Sequence, residues 1–189
     1  MDVAEFHTAG TVDYFLHERG ADLVREWANG AVSGLVQTSA YAEAWLREFG
    51  IDETPTQAKV AHRMARQREV LARSEVRLIL DEAVLHRAVG GPEVMREQLE
   101  ALLVLPAAVD LMVVPFSVGA HRGLYRPFHL LDGPCGRVLY LDDPMQDRTL
   151  TSGPLIPAYE AVWRSLEAVA VPAEPLIVAA LDRLTSSRP

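Results

Sequence analysis

The chain has 189 residues, 49% of them hydrophobic and 23% charged, with 12 glycines and 12 prolines scattered along it. Those values suit a single globular domain over residues 1–189 and exclude collagen-like, low-complexity and wholly disordered chains. With 18 basic against 26 acidic residues the formal net charge is -8, so the molecule as a whole repels a phosphate backbone and is not expected to read DNA sequence alone.

The spacing predicts a first helix over Thr11 to Trp27, weakened at Gly20, because Val12, Phe15, Leu16, Leu23, Val24 and Trp27 recur at three- and four-residue steps. A second helix follows the possible cap Thr38, with Tyr41, Ala42, Trp45, Leu46 and Phe49 on one stripe ending at Gly50. Thr54-Pro55-Thr56-Gln57 reads as a capping box that opens a third helix running to about Arg73. At Val76–Glu82 the pattern changes to a short branched run, a strand. Gly90-Gly91-Pro92 then opens a helix with Met95, Leu99, Leu102 and Leu103 inward, and Leu111–Val114 completes a βαβ-sized unit whose strands default to parallel. Phe128–Leu131 and Arg137–Leu141, joined by a Gly-Pro-Cys-Gly turn, read as an antiparallel hairpin. Two helices close the chain, one from Pro157 through Trp163 and one carrying Ile177, Leu181 and Leu184. The expected architecture is α+β, a small mixed sheet of about four strands flanked by N- and C-terminal helices.

Cys135 is the single cysteine; one thiol closes neither an internal disulfide nor a four-ligand zinc site, which suits a reducing cytoplasm. No metal or cofactor is implied. Residues 1–30 carry acidic groups and no continuous apolar segment, and no run approaches the roughly 20 residues that span a bilayer. The expectation is a cytoplasmic protein, neither exported nor embedded. Arginine supplies almost all the positive charge, Lys59 being the single lysine, a bias that points to a GC-rich genome.

Nucleophile elbows, phosphate-cradling glycine loops and zinc-binding helix motifs are missing from the sequence. The densest polar run is Gly119 to His129. His121, Arg122 and Arg126 there suit the electronegative group of a small ligand, with Phe116, Phe128 and Tyr140 bounding its apolar part. The same arginines also suit a solvated loop paired with Asp132, Asp142 or Asp143. Strand alternation puts Tyr140 and Asp142 on one face, with Glu82 at a neighbouring strand end, so His121, Tyr140, Asp142 and Glu82 are the acid/base candidates; ordinary sheet-end hydrogen bonds explain them equally. Lys59, His62, Arg63, Arg66 and Arg73 form a basic stripe on the third helix, either a solvated face or a docking face for an acidic protein partner. The tryptophan stripes around Trp45 and Trp163 read as core. If the polar loop carries no site, the alternative is a pocket around Gln37, Tyr41 and Trp45.

Several runs together carry a resemblance: Val32–Ala42, Arg66–Leu71, Leu80–Arg87, Val89–Leu99, Val113–Phe116, Gly119–His121 and Phe128 with Leu130-Leu131. In this order and spacing, over about residues 21–184, the chain resembles the C-terminal domain of unknown function of actinobacterial helix-turn-helix, XRE-family, antitoxin-like transcriptional regulators. Ser33 stands where that family usually has proline, and Tyr125-Arg126 makes the polar loop more basic. A DNA-reading module needs about 50 or more residues, and some 20 residues precede the match, so the resemblance implies a free-standing effector domain behind an N-terminal extension over residues 1–20. It supplies no catalytic residue. Three functions remain open: a regulatory domain that senses a small, partly apolar molecule; a biosynthetic enzyme of cyclase or isomerase type derived from it, as in secondary metabolism; and an antitoxin-like protein-interaction domain.

Overall fold

The computed structural model describes residues 9–49, 55–134, 136–143 and 147–186. Among these it forms helices α1 (Ala9–Arg19), α2 (Ser39–Phe49), α3 (Thr56–Leu71), α4 (Pro92–Leu102), α5 (Leu155–Glu167) and α6 (Glu174–Ser186). The strands are β1 (Leu23–Ala28), β2 (Glu75–Asp81), β3 (Val109–Val114), β4 (Phe128–Gly133), β5 (Gly136–Leu141), β6 (Arg148–Leu150) and β7 (Val171–Pro172). They make one seven-stranded mixed sheet in the order β6-β5-β4-β1-β2-β3-β7. The α+β class stands, and the four-strand expectation is corrected.

The largest source of that correction is β1. The chain leaves α1 through backbone bonds from Gly20 to His17 and from Ala21 to Glu18, then enters the centre of the sheet. There it pairs parallel with β2 and antiparallel with β4. Both faces of β1 are covered, so no polar side marks the period of two, and the spacing of Leu23, Val24 and Trp27 imitates a helix. β6 and β7, three and two residues long, pair at the two edges and carry no pattern to read. The β2 and β3 strands are parallel, as expected, and the β4–β5 hairpin has Phe128 opposite Leu141 and His129 opposite Tyr140. Cys135 of its turn, and Thr54 of the expected capping box, lie outside the described residues.

The sheet divides the core. On one face Val24, Leu78, Leu80, Val113 and Leu131 pack against Tyr14 of α1, Tyr41 of α2, Val70 of α3, Leu99 of α4 and Ile177 of α6. On the other, Trp27, Ile79, Phe128, Leu130 and Leu139 receive Trp163 and Leu166 of α5. Trp163 is fully buried, whereas Trp45 is only partly buried against the first cluster. The loop before β4 is pressed onto the second face at Gly123, where a Cβ would lie 2.6 Å from the Trp27 ring, and Trp27 Nε1 donates to the Gly123 carbonyl at 2.8 Å. Only glycine fits that approach without displacing the indole. Among the described residues no helix is long and apolar enough to cross a membrane.

Candidate functional site

At the carboxyl end of β1 the chain turns through residues 28–37 toward α2, and between this turn, α1, α3 and the β4–β5 edge lies a cavity of about 340 Å³. The end of a parallel strand is where open sheets commonly collect ligand groups. Alternation on the three strands delivers Glu26 from β1, His129 from β4 and Tyr140 from β5 to this cavity; α1 adds Tyr14 and α3 adds Arg63 and Arg66.

Its floor is a buried hydrogen-bonded network. Arg66 donates to both Glu18 oxygens, at 2.6 and 3.0 Å, and Glu18 has no exposed surface. Burial opposes charge on both groups, but the charge of Arg66 and its hydrogen bonds hold the Glu18 carboxyl below its ordinary value, and Glu18 raises Arg66 in return. Ionised Glu18 only accepts, so the Tyr14 hydroxyl donates its one hydrogen bond to it. Burial, and then the Glu18 charge, keep that phenol neutral, its pKa well above the usual value. Tyr14 oxygen therefore accepts a hydrogen bond from His129 Nδ1–H, 3.1 Å away. In the neutral ring this makes Nδ1 the protonated nitrogen and Nε2 the acceptor.

Glu26 Oε2 lies 3.6 Å from the same His129 Nδ1 and accepts from the Ser33 hydroxyl at 2.6 Å. Ser33 also accepts from Leu35 N–H at 3.2 Å, so this residue fixes the turn and the carboxylate together. Arg63 Nη1 donates to Gln37 Oε1 at 2.6 Å, and Gln37 Nε2 donates to the Val32 carbonyl at 2.7 Å. Burial, and then the repulsion of Arg66, push Arg63 down to about 10, against the upward pull of Asp142 and Glu26. Tyr140 stacks on Tyr14 with ring centres 4.2 Å apart and donates to Asp147 at 3.1 Å.

Of the residues expected from the sequence, Tyr140 and Asp142 do share this cavity, as do Gln37 and Trp45 from the alternative set; Tyr41 is buried beside it and receives Val32 N–H at 3.2 Å. Arg122, Arg126 and Phe128 line a different cavity of about 300 Å³ on the α5 face, with Tyr125 and Tyr159, and Arg126 reaches Asp143 at 3.5 Å. His121 lies 3.3 Å from Asp81 and edge-on to Trp27. Glu82 accepts Phe116 N–H at 2.7 Å and faces His86, while the Phe116 ring is exposed. The set is thus divided among four places: Tyr140 and Asp142 in this cavity, Arg122, Arg126 and Phe128 on the α5 face, His121 beside Asp81 and Trp27, and Glu82 with Phe116 beside His86. The expected basic stripe of α3 is not an outward face either: Arg63 and Arg66 turn inward, and His62 packs against Phe15.

Sequence reading misses Tyr14, Glu18, Glu26 and His129. One signal was available: Glu26 sits between Val24 and Ala28 on the period of a buried strand, where a lone carboxylate needs partners. A wider groove of about 670 Å³ lies between α2 and residues 87–94; its lining includes the Arg47–Glu43 ion pair, in which Arg47 is exposed. Among the described residues no cluster of His, Cys, Asp and Glu is arranged to hold a metal ion.

Fold and site together define an α+β protein with a ligand-sized polar cavity at the end of a central strand. The chain belongs to the family described as Domain of unknown function (DUF5753), which matches residues 11–176. No curated protein and no solved structure matches the chain.

Proposed function

We propose that this chain is a small-molecule-sensing domain of regulatory type, akin to the effector half of helix-turn-helix regulators, and that its ligand enters the cavity above His129. One observation carries the reading: beside the closed Arg66–Glu18 pair, the buried Glu26 and the inward Arg63 border open space, where among the described residues Arg63 is hydrogen-bonded to a neutral amide and makes no ion pair. The volume is at the small end of ligand pockets, and the aromatic wall of Tyr14 and Tyr140 beside Glu26 and Arg63 suits a molecule with one apolar body and few polar groups. The cytoplasm, with its metabolites, is the proposed setting.

The test is fragment NMR on the full chain with phenol, isopropanol and dimethylformamide as probes. Shifts should concentrate at Tyr14, Glu26 and His129. Shifts confined to the Arg122 cavity or to the groove beside Val89 would overturn the assignment.

The cyclase or isomerase reading has its own support in the Glu18–Tyr14–His129 relay, which leaves Nε2 as a base. It predicts that His129→Gln abolishes conversion of a co-purifying molecule while retaining most of its affinity. A pure sensor loses affinity alone.

A further inference from the structure

We propose, on the basis of that ligand-binding reading, that the cavity takes a small monocarboxylate whose acid group is held by Arg63 and whose apolar body lies against the Tyr14–Tyr140 wall. The charges at the site fall into two sets. Arg66 and Glu18 cancel within one ion pair below the floor. Arg63, three residues earlier on the same helical face, also lines the cavity, yet among the described residues its hydrogen bond is to the neutral amide of Gln37 and it makes no ion pair.

Two features make this guanidinium a receptor for a carboxylate. It is pre-positioned: Arg63 donates to Gln37, Gln37 is pinned to the Val32 carbonyl, and Gln67 Nε2 ties the Gly34 and Gln37 carbonyls to α3 at 2.9 Å each. The planar fork of donors that remains matches a carboxylate better than a neutral group. Its charge is also held at an energetic disadvantage, since burial and Arg66 push its pKa down to about 10. A ligand anion relieves that disadvantage, and a neutral ligand does not.

The same lining sets an upper limit on the negative charge. Glu26 and Asp142 also face the cavity, so with Arg66 closed by Glu18 the lining has one formal cation against two anions; a carboxylate is favoured only in direct contact with Arg63, and every further negative charge on the ligand meets repulsion. This selects a single carboxylate over nucleotides and polyphosphates. Hydroxyl donors on the body find acceptors in Glu26 and Asp142.

The experiment titrates the full chain with benzoate, with benzamide as its uncharged isostere and with benzylamine as its cationic counterpart. Binding is read by NMR at the Tyr14, Tyr140 and His129 rings and at the Arg63 Nε–H. Benzoate should bind about tenfold or more tighter than benzamide. Arg63→Gln should abolish that preference and Arg63→Lys, which keeps the charge but not the fork, should retain part of it, each variant first matched to the parent's amide spectrum. Equal affinity for benzoate and benzamide, tighter binding of benzylamine, or a preference surviving in Arg63→Gln would overturn the proposal while leaving a ligand cavity in place. If none of the three probes shifts Tyr14, Tyr140 or His129 at millimolar concentration, the cavity reading itself falls, and the carboxylate proposal with it.

Discussion

Arg25 and Glu26 are adjacent on β1, both are at least nine-tenths buried, and they leave the strand on opposite sides. On the α5 side Arg25 bonds Asp132 at 2.7 Å and Glu160 at 2.6 Å, and Arg137 bonds the same two carboxylates at 2.6 and 2.8 Å. Two cations and two carboxylates close a square beneath Trp163, over whose ring the Arg25 guanidinium lies at 5.7 Å. On the opposite side Glu26 meets Ser33 and His129 at the edge of a cavity, and the nearby Arg63 has a neutral partner. Burial of charge is therefore not what marks a site. The mark is a set of charges whose sum is not closed by the protein and which borders space a ligand can enter.

The most severe way to break this comparison is to open the pair under the cavity. Glu18→Gln leaves Arg66 buried without its counter-charge, and about 3–5 kcal/mol of stability should be lost in urea denaturation. Trp163→Ala should cost a similar 3–5 kcal/mol from the other side of the sheet. It should leave the His129 Nδ1–H signal unchanged, because α5 does not reach the cavity. A joint loss of both would show that the two faces are one unit. Arg25→Met should cost less, about 1–3 kcal/mol, since Arg137 still bonds both carboxylates. Gly123→Ala should fall in the same range through overpacking against Trp27, measured as a lowered Tm with the Trp27 indole N–H signal displaced.

The smallest effect is spread over pH. Folding lowers the Glu18 carboxyl, so its contribution is whole above the ordinary value of 4.5 and is lost as pH falls from there toward the folded value. Tyr14 moves the other way: its raised phenol contributes fully below 10.0 and loses that contribution as pH rises toward the folded value. Denaturation midpoints across this range should be flat between 4.5 and 10 for this pair. The acid limb should be shallower in a Glu18→Gln, Arg66→Gln double variant, and an unchanged limb would remove Glu18 from the account.

How far these features are legible in the sequence follows from whether they are local. Thr38 is read as a cap and does accept Tyr41 N–H at 3.2 Å; the stripes of α4, α5 and α6 and the β4–β5 hairpin are read from spacing alone, except that Leu103, expected inward, lies past the end of α4 and is exposed. Tyr140 and Asp142 share a face by simple alternation. β1 escapes because the sheet covers it on both sides and its two central side chains are charged. The network escapes because its members lie 48 and 115 residues apart, Glu18 from Arg66 and Tyr14 from His129. The inward turn of Arg63 and Arg66 depends on where α1 lies, which the pattern of α3 does not contain.

The placement of α1 has a mechanical meaning. Among the described side chains of the helix Tyr14 and Phe15 are buried and Leu16 is 64% exposed, and Glu18 on Arg66 and Tyr14 on His129 help to hold it. Those are also the bonds that shape the cavity floor. A ligand that draws on His129 is then expected to change the hydrogen-exchange protection of residues 14–18, and by linkage a change that stabilises α1 in this position is expected to change that ligand's affinity.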